Sequence, residues 1–230
     1  MFKTRSNDKE LLDDVIIDHH ELYLNLEELE SINKYLGGHA TSIYGLRKLF
    51  SKFPLIHKVV DVGCGGGDSI RAISGFFKDK NSLEFEGLDF KPDCIQFSKE
   101  KSHSDNNISF QVQDFWNYTV LSAEATVFHF SLFMHHFSND EIIAFLKKMQ
   151  KDNQAIVIND LVRSPFAYYG ILFLTKLFSK SRLVKNDAPL SVLRGFKRAE
   201  WRSLLHEAGI TNYEILGRPM FRHLIIVYPM

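Results

Sequence analysis

The 230-residue chain predicts an α/β fold: a seven-stranded, mostly parallel sheet with one antiparallel strand and helices on both faces. Three observations carry this. Short β-rich runs recur at Lys58–Val62, Leu83–Leu88, Ile108–Val112, Ala125–Phe130 and Ala155–Ile158, and helical stretches such as Asp68–Phe77 and Pro92–Lys101 follow the early ones. Strands alternating with helices build a parallel sheet covered on both sides. The last two runs, Tyr213–Leu216 and Leu224–Tyr228, are joined by a turn holding Gly217 and Pro219, too short for a crossover and right for a hairpin.

The elements follow in order along a single domain, residues 1–230, since no repeat, low-complexity run or Pro/Gly-rich linker divides it. Residues 1–52 carry helical spacing and form an N-terminal helical cap: Leu11, Leu12, Val15 and Ile16, then Leu22, Leu24, Leu26 and Leu29, then Ile43, Leu46 and Leu49. Gly37-Gly38 ends the middle helix, because glycine takes the left-handed C-cap conformation without a Cβ penalty. Residues 57–160 form the strand–helix core. Ser138 and Glu141 make a capping box for a helix through Ile142, Phe145, Leu146 and Met149. Residues 161–196 are an apolar insertion, and 197–230 hold a closing helix and the hairpin.

Composition narrows the function. With 28 basic and 28 acidic residues the formal charge is zero, which gives no long-range attraction to nucleic acid. Two cysteines, Cys64 and Cys94, exclude a disulfide framework. Asp8, Glu10, Asp13 and Asp14 interrupt any signal-peptide apolar region. The uncharged stretch Ser164–Thr175 falls short of the roughly 20 residues a spanning helix needs. A cytoplasmic chain, monomer or homodimer, is the expectation.

The segment Val59-Val60-Asp61-Val62-Gly63-Cys64-Gly65-Gly66-Gly67-Asp68 is the most informative. A buried strand enters a glycine turn that opens a helix, and glycines let the backbone turn tightly and approach a ligand. The dinucleotide pattern G-x-G-x-x-G puts its third glycine at position 68, where this chain has Asp68, a carboxylate that would oppose a pyrophosphate.

Asp61-x-Gly63-x-Gly65-x-Gly67 resembles the first motif of class I S-adenosylmethionine-dependent methyltransferases. The resemblance implies a Rossmann-like sheet and S-adenosyl-L-methionine as cofactor. It implies that Asp89, ending the next strand, holds the ribose hydroxyls, for which a carboxylate accepting two hydrogen bonds is suited. Phe90 would lie against the adenine, and Gln113-Asp114-Phe115 resembles the adenine-edge segment, with Asp114 accepting from the exocyclic amine. The alternatives are a ligand-free glycine turn and carboxylates that serve as caps.

Phe130-Ser131-Leu132-Phe133-Met134-His135-His136-Phe137 resembles the Ser-Leu-x-x-His-His segment of small-molecule members of that superfamily. Open α/β sheets bind ligands at strand carboxyl ends, so Ser131 should border the cofactor, and His135 and His136 the acceptor. Histidine is a fitting general base for a phenol of pKa about 10. The competing reading makes both histidines packing residues. Asp160 is a candidate to orient a histidine or a substrate hydroxyl, and Arg163 to bind an anion, Asp160, or a surface partner. No Cys/His cluster has zinc-ligand spacing, so no metal is expected; a metal-assisted catechol mechanism is left open without anything demanding it.

Ser164-Pro165 starts a helix running through Phe166, Tyr168, Tyr169, Ile171, Leu172, Phe173, Leu174, Leu177 and Phe178, apolar almost all round. Either protein covers it, in the core or a dimer, or it is a lid over a lipophilic acceptor with transient membrane-surface contact. Ser179–Phe196, Leu11–Asp14 and Ile32–Gly38 resemble bacterial methyltransferases associated with type III polyketide synthases, which implies phenolic or resorcinolic acceptors, often alkylated. The leading function is thus methyl transfer to the hydroxyl of a small lipophilic phenol. Carbon methylation of a quinone precursor is the same-chemistry alternative, and a non-catalytic cofactor-binding scaffold the alternative from another class.

Overall fold

Strands β1 (Lys58–Val62), β2 (Glu84–Asp89), β3 (Ile108–Val112), β4 (Thr126–Ser131), β5 (Ala155–Leu161), β6 (Tyr213–Arg218) and β7 (Arg222–Val227) form one sheet in the order β3-β2-β1-β4-β5-β7-β6. The computed structural model describes residues 1–13, 17–80, 82–103, 105, 107–118 and 125–230. Strands β1 to β5 pair in parallel, and β7 runs antiparallel to both β5 and β6. The expected Rossmann-like sheet is therefore the observed one. Chain progression reverses between β1 and β4, and such a switch point is where open α/β sheets receive ligands.

Burial explains the strand sequences. From Val59 and Thr126 onward, β1 and β4 are buried on both faces apart from Ser131 at the end of β4. Alternate residues feed two cores. Val60, Val62, Phe128, Phe130, Ile156 and Ile158 pack with Trp201 and Leu146 on one side; Val59, Val127 and Val157 pack with Leu46, Leu49 and Ile73 on the other.

Helix α1 (His19–Tyr35) is capped by Asp18, which accepts the Glu21 N–H at 3.1 Å. Gly37 takes φ +72° between α1 and α2 (Gly38–Lys52), the left-handed link expected from the glycine pair. Gly45 lets α2 press onto the sheet, since a Cβ there would meet Leu224 at 2.7 Å and Val157 at 2.9 Å. Helices α3 (Asp68–Phe76), α4 (Pro92–Lys101), α5 (Asn139–Lys151) and α8 (Arg198–Glu207) complete the layers, and α5 carries the capping box of Ser138 and Glu141.

Three features depart from the sequence reading. Residues Leu11–Asp13 form a single 3₁₀ turn, and Val15 and Ile16 lie outside the described residues. β5 extends to Leu161 instead of ending at Ile158, because the antiparallel β7 continues the ladder beside it. The insertion holds two helices, α6 (Pro165–Phe178) and α7 (Arg182–Arg194), and Pro189 inside α7 hid the second from propensity reasoning.

A chain of buried polar contacts ties the N-terminal helices to the sheet. Arg222 donates to Asn159 Oδ1 at 3.2 Å and to Asn33 Oδ1 at 3.1 Å. Asn159 donates to Ser42 Oγ and to the Gly38 carbonyl, both at 2.9 Å. The path continues through Ser42 to His129 Nε2 (2.8 Å) and from His129 Nδ1 to Asp61 (2.7 Å). In the other direction Asn33 and His39 donate to Asp68 at 3.0 and 2.7 Å. Replacing Asn159 by alanine strands buried partners on both sides, so Asn159→Ala should cost about 1–3 kcal/mol in urea unfolding; a change near zero would show that the network carries no stability.

Candidate active site

The glycine loop joins β1 to α3 with Gly63, Gly65 and Gly67 at φ +66°, +53° and +72°. Its glycines serve different needs. A Cβ on Gly63 would sit 2.1 Å from the Phe133 ring, and one on Gly67 2.9 Å from Phe110. A Cβ on Gly65 would meet nothing closer than Leu26 at 3.7 Å, which leaves open space over the middle of the loop. Asp89 fastens this middle: it accepts the Gly65 N–H at 3.0 Å and the Lys91 N–H at 2.9 Å. Burial raises the Asp89 carboxyl above its usual range, against the pull of those two N–H groups.

The residues fit S-adenosylmethionine. Asp61 Oδ2 and Ser131 Oγ are buried without a hydrogen-bond partner among the described residues, which leaves acceptor capacity near the loop. Phe90 is 63% exposed beside Asp89, with the Lys91 ammonium 5.7 Å from its ring centre, and offers a ring face on which a base could rest. Asp114 caps the turn Phe115–Asn117 by accepting the Trp116 N–H at 2.9 Å, while the Phe115 ring is buried against Phe128, Phe130 and Phe145. Asp68, read from the sequence as a carboxylate that would oppose a pyrophosphate, points to Asn33 and His39. Burial opposes its charge, but His39 and Asn33 hold it below the usual carboxylate range.

Beyond Ser131 the chain turns sharply. Leu132 adopts φ +53°, rare for a branched residue, with its N–H held by the Asn159 carbonyl at 2.9 Å. A 3₁₀ turn, Met134–His136, then places both histidines on the wall of a cavity of about 280 Å³. His135 is buried: Nδ1 donates to Asp160 Oδ1 at 2.7 Å, and its backbone N–H to Asp160 Oδ2 at 3.1 Å. Burial disfavours its cation, but Asp160 and Glu10 outweigh that and raise its pKa to about 10. His136 is part exposed, with Nδ1 on Asp13 Oδ1 at 3.0 Å. Arg163, by contrast, pairs with Glu200 and the Gly195 carbonyl, not with Asp160.

Sequence reasoning missed Glu10, Asp13, Asn25 and Arg194. Glu10 Oε1 lies 3.5 Å from His135 Nε2 and accepts from Ser191 at 2.8 Å. Arg194 donates to the carbonyls of His135 and His136 at 3.1 and 2.9 Å and so fixes the turn. The acids at 10 and 13 were visible, but read as breaks in an apolar leader; nothing local pairs them with histidines so far along the chain. Asn25 lines the cavity and its Nδ2 is buried without a partner among the described residues.

Apart from Asp187, Ser191 and Arg222, the rest of the wall is apolar. α6 contributes Phe166, Ala167, Gly170, Ile171 and Leu174, one helical face, while α1 contributes Leu29 and Ile32 and α7 Val184 and Val192. Within α6 the buried residues are Ala167 and Thr175, so this helix is not part of the core of the chain. Its outer side leaves Tyr169, Phe173, Leu177 and Phe178 between 59% and 72% exposed. No described helix is long and apolar enough to cross a membrane.

Comparison with known proteins agrees with this geometry. Residues 59–151 match the family described as a methyltransferase domain. The chain is 25% identical over 214 residues to an isoflavone 7-O-methyltransferase of Glycyrrhiza echinata, covering 89% of this chain and 55% of that protein. It is 27% identical over 186 residues to an 8-hydroxyquercetin 8-O-methyltransferase of Mentha piperita, covering 77% and 46%. It thus spans about half the length of these plant enzymes. Among solved structures, an O-methyltransferase family 2 protein of Planctomyces limnophilus in complex with apigenin superposes with a TM-score of 0.64 at 13% identity, over 95% of this chain and 63% of that one. The plantazolicin methyltransferase BpumL in complex with SAH gives 0.63 at 15%, over 92% and 96%. Fold and glycine loop define the class: a Rossmann-like sheet whose residues 59–151 match a methyltransferase domain.

The His135–Asp160 pair sets a pH dependence. A raised histidine pKa stabilises the fold fully below its unfolded value of about 6.5, and the contribution fades as pH rises toward about 10. Urea unfolding in chelator-containing buffer should therefore show stability falling from pH 6.5 to 9.5, and His135→Asn should flatten that slope. A wild-type slope that survives the substitution would assign it elsewhere.

Proposed function

We propose that this chain methylates the hydroxyl oxygen of a small lipophilic phenol or resorcinol, of the kind made by polyketide assembly. One observation carries the reading: an apolar cavity whose wall presents two carboxylate-paired histidines, reached one residue after Ser131 at the end of β4. At about 280 Å³ the cavity lies near the lower limit for small-molecule sites, the size of one substituted ring. The similarity to plant enzymes acting on isoflavone and quercetin hydroxyls, and to a protein solved with apigenin, supports the same acceptor chemistry.

When bound, S-adenosylmethionine supplies a sulfonium methyl already activated for in-line displacement, so that an oxygen–carbon bond forms as the sulfur–carbon bond breaks. Asp89 would accept the ribose hydroxyls, Phe90 and Asp114 would meet the adenine, and Asp61, Ser131 and the backbone at Gly63, Gly65 and Gly67 would hold the remainder. Asp89→Ala should weaken S-adenosylhomocysteine binding by about 1.5–3 kcal/mol in calorimetry. An unchanged dissociation constant in a folded variant would release Asp89 from the ribose.

The two histidines divide the remaining work. His135, held between Asp160 and Glu10 with its pKa near 10, carries its proton at neutral pH and fits a positioning and electrostatic role. His136 is the base: Asp13 takes its Nδ1–H, and Nε2 receives the phenol proton as the oxygen attacks. Asn25 offers a donor to a second acceptor oxygen. The assay pairs protein and S-adenosylmethionine with alkylresorcinols and reads the gain of one methylene mass. Fragmentation that places the methyl on ring carbon would instead select the quinone-type reaction. His136→Ala should lose about 10²–10⁴-fold in rate near pH 7, and recover as pH nears the phenol pKa. Wild-type rates from pH 6 to 9 would reduce His136 to packing.

A further inference from the structure

We propose that Glu10, His135 and His136 form a binding site for one divalent metal ion on the cavity wall. Three ligand atoms, one from each residue, lie within 4.8 Å of one another. Glu10 Oε1 is 3.5 Å from His135 Nε2, and Glu10 Oε2 is 3.9 Å from His136 Nε2. Both distances exceed a good hydrogen bond of about 2.7–3.2 Å. Both fit two atoms that share an ion at roughly 2.0–2.2 Å from each, which lie about 4 Å apart or less.

The orientation of the imidazoles is the stronger argument. His135 donates Nδ1–H to Asp160 at 2.7 Å, and His136 donates Nδ1–H to Asp13 at 3.0 Å. Each carboxylate takes an Nδ1–H, so Nε2 is the atom of each ring left to a proton or an ion, an ion displacing the proton that His135 otherwise carries, and both Nε2 atoms turn toward Glu10. Carboxylate–histidine–metal sites are built in this way. Backbone contacts hold the arrangement rigid: Arg5 and Arg194 grip the His135 carbonyl, and Ser191 holds Glu10.

Charge agrees. Glu10, Asp13, Asp160 and Asp187 bring four carboxylates, while Arg194 contacts Glu10 and Asp13, and Arg5 and Arg222 act on Asp160 from further away. Against four carboxylates, three cations leave the cluster negative when both imidazoles are neutral. Protons on the imidazoles or a dication satisfy the deficit. Glu10 is 4% exposed, so a carboxylate without compensation there is costly.

Two imidazoles and one carboxylate favour Zn²⁺, Co²⁺, Mn²⁺ or Fe²⁺ over Mg²⁺ or Ca²⁺. Three protein ligands leave coordination positions free, and all three residues line the cavity. With the ion bound, His136 Nε2 is a ligand and no longer a base; the ion would then hold the acceptor oxygen and lower its pKa, as zinc does for water, with the hydroxyl proton released to solvent. That role rests on the methyl-transfer reading; ion binding itself does not. The expectation of no metal came from local Cys/His spacing, which a ligand set assembled from residues 10, 135 and 136 does not display.

The test uses untagged protein stripped with EDTA and dialysed. Calorimetry with Zn²⁺ and visible absorption with Co²⁺ should give one ion per chain, with a dissociation constant on the order of micromolar or tighter that weakens steadily as pH falls and protons compete for the imidazoles. Asp13→Asn should weaken binding about 10–100-fold, and Glu10→Gln and His136→Ala by more, with melting curves confirming that each variant is folded. No saturable binding by the folded wild type at millimolar Zn²⁺ or Co²⁺ would overturn the site, as would binding indifferent to Glu10→Gln and His136→Ala in folded proteins. Stripped protein that methylates phenols yet binds no ion loses this site and keeps the proposed function. Protein that binds one ion at these residues but methylates no phenol keeps the site and loses that function.

Discussion

A guanidinium buried at the start of β7 governs how the ligand side of the sheet is assembled. Arg222 is 2% exposed, and a charge so placed must distribute itself over acceptors. It does so through two asparagines, Asn159 on β5 and Asn33 on α1, and through the Leu36 carbonyl at the end of α1. Burial lowers its pKa to about 10, with Asp160 and Asp68 pulling the other way. Because the donors point outward from Arg222 toward Asp61 at one end and Asp68 at the other, the directions of the intervening hydrogen bonds are all constrained. Helices α1 and α2 are thus fixed to the sheet by polar contacts as well as by Leu46, Leu49 and Phe50.

The same economy appears at three carboxylates buried near strand carboxyl ends. Asp61 on β1 is answered by His129, Asp89 on β2 by the N–H groups of Gly65 and Lys91, and Asp160 on β5 by His135. Each partner belongs to a different segment, so each carboxylate organises the loop it touches. Asp61 ties β1 to β4, Asp89 shapes the glycine turn, and Asp160 shapes the cavity wall. Helix α1 bridges the regions, with Leu26 against Gly65 and Gly66 and Asn25 on the cavity. A shift of α1 therefore reaches both regions.

Much of this was legible in the sequence because the signals were local. Strand and helix alternation gave the sheet, the glycine spacing located the loop, and the link at Gly37 followed from a glycine pair. His135 and Asp160, singled out from separate strand ends, are brought together in a pair. What stayed hidden depends on contacts between distant residues. Glu10 and Asp13 are ordinary acids until the N-terminal segment crosses the turn Met134–His136, and a proline masked α7, whose Arg194 fixes that turn. The apolar periodicity of α6 was plain, but periodicity cannot say which face is covered. Ala167, Gly170, Ile171 and Leu174 face the cavity, while Tyr169, Phe173 and Leu177 face outward, and that division follows from where α7 packs.

Adjacent histidines with one chemistry reach different states through their partners. In a 3₁₀ turn neighbouring side chains lie about 120° apart around the axis, so two successive residues can address one cavity while pairing with different elements. The rings of His135 and His136 sit 4.4 Å apart at 31°, close enough that a proton or an ion on one is felt by the other. His135 faces inward to Asp160, a group with no exposure, and His136 outward to Asp13, which is partly solvated. Water screens the second pair and not the first, so the inner imidazole keeps its charge across neutral pH. For the proposed transfer to a weakly acidic hydroxyl, one dipeptide would supply both a charged positioning group and a base, and Glu10, 3.5 and 3.9 Å from the two Nε2 atoms, lies between them.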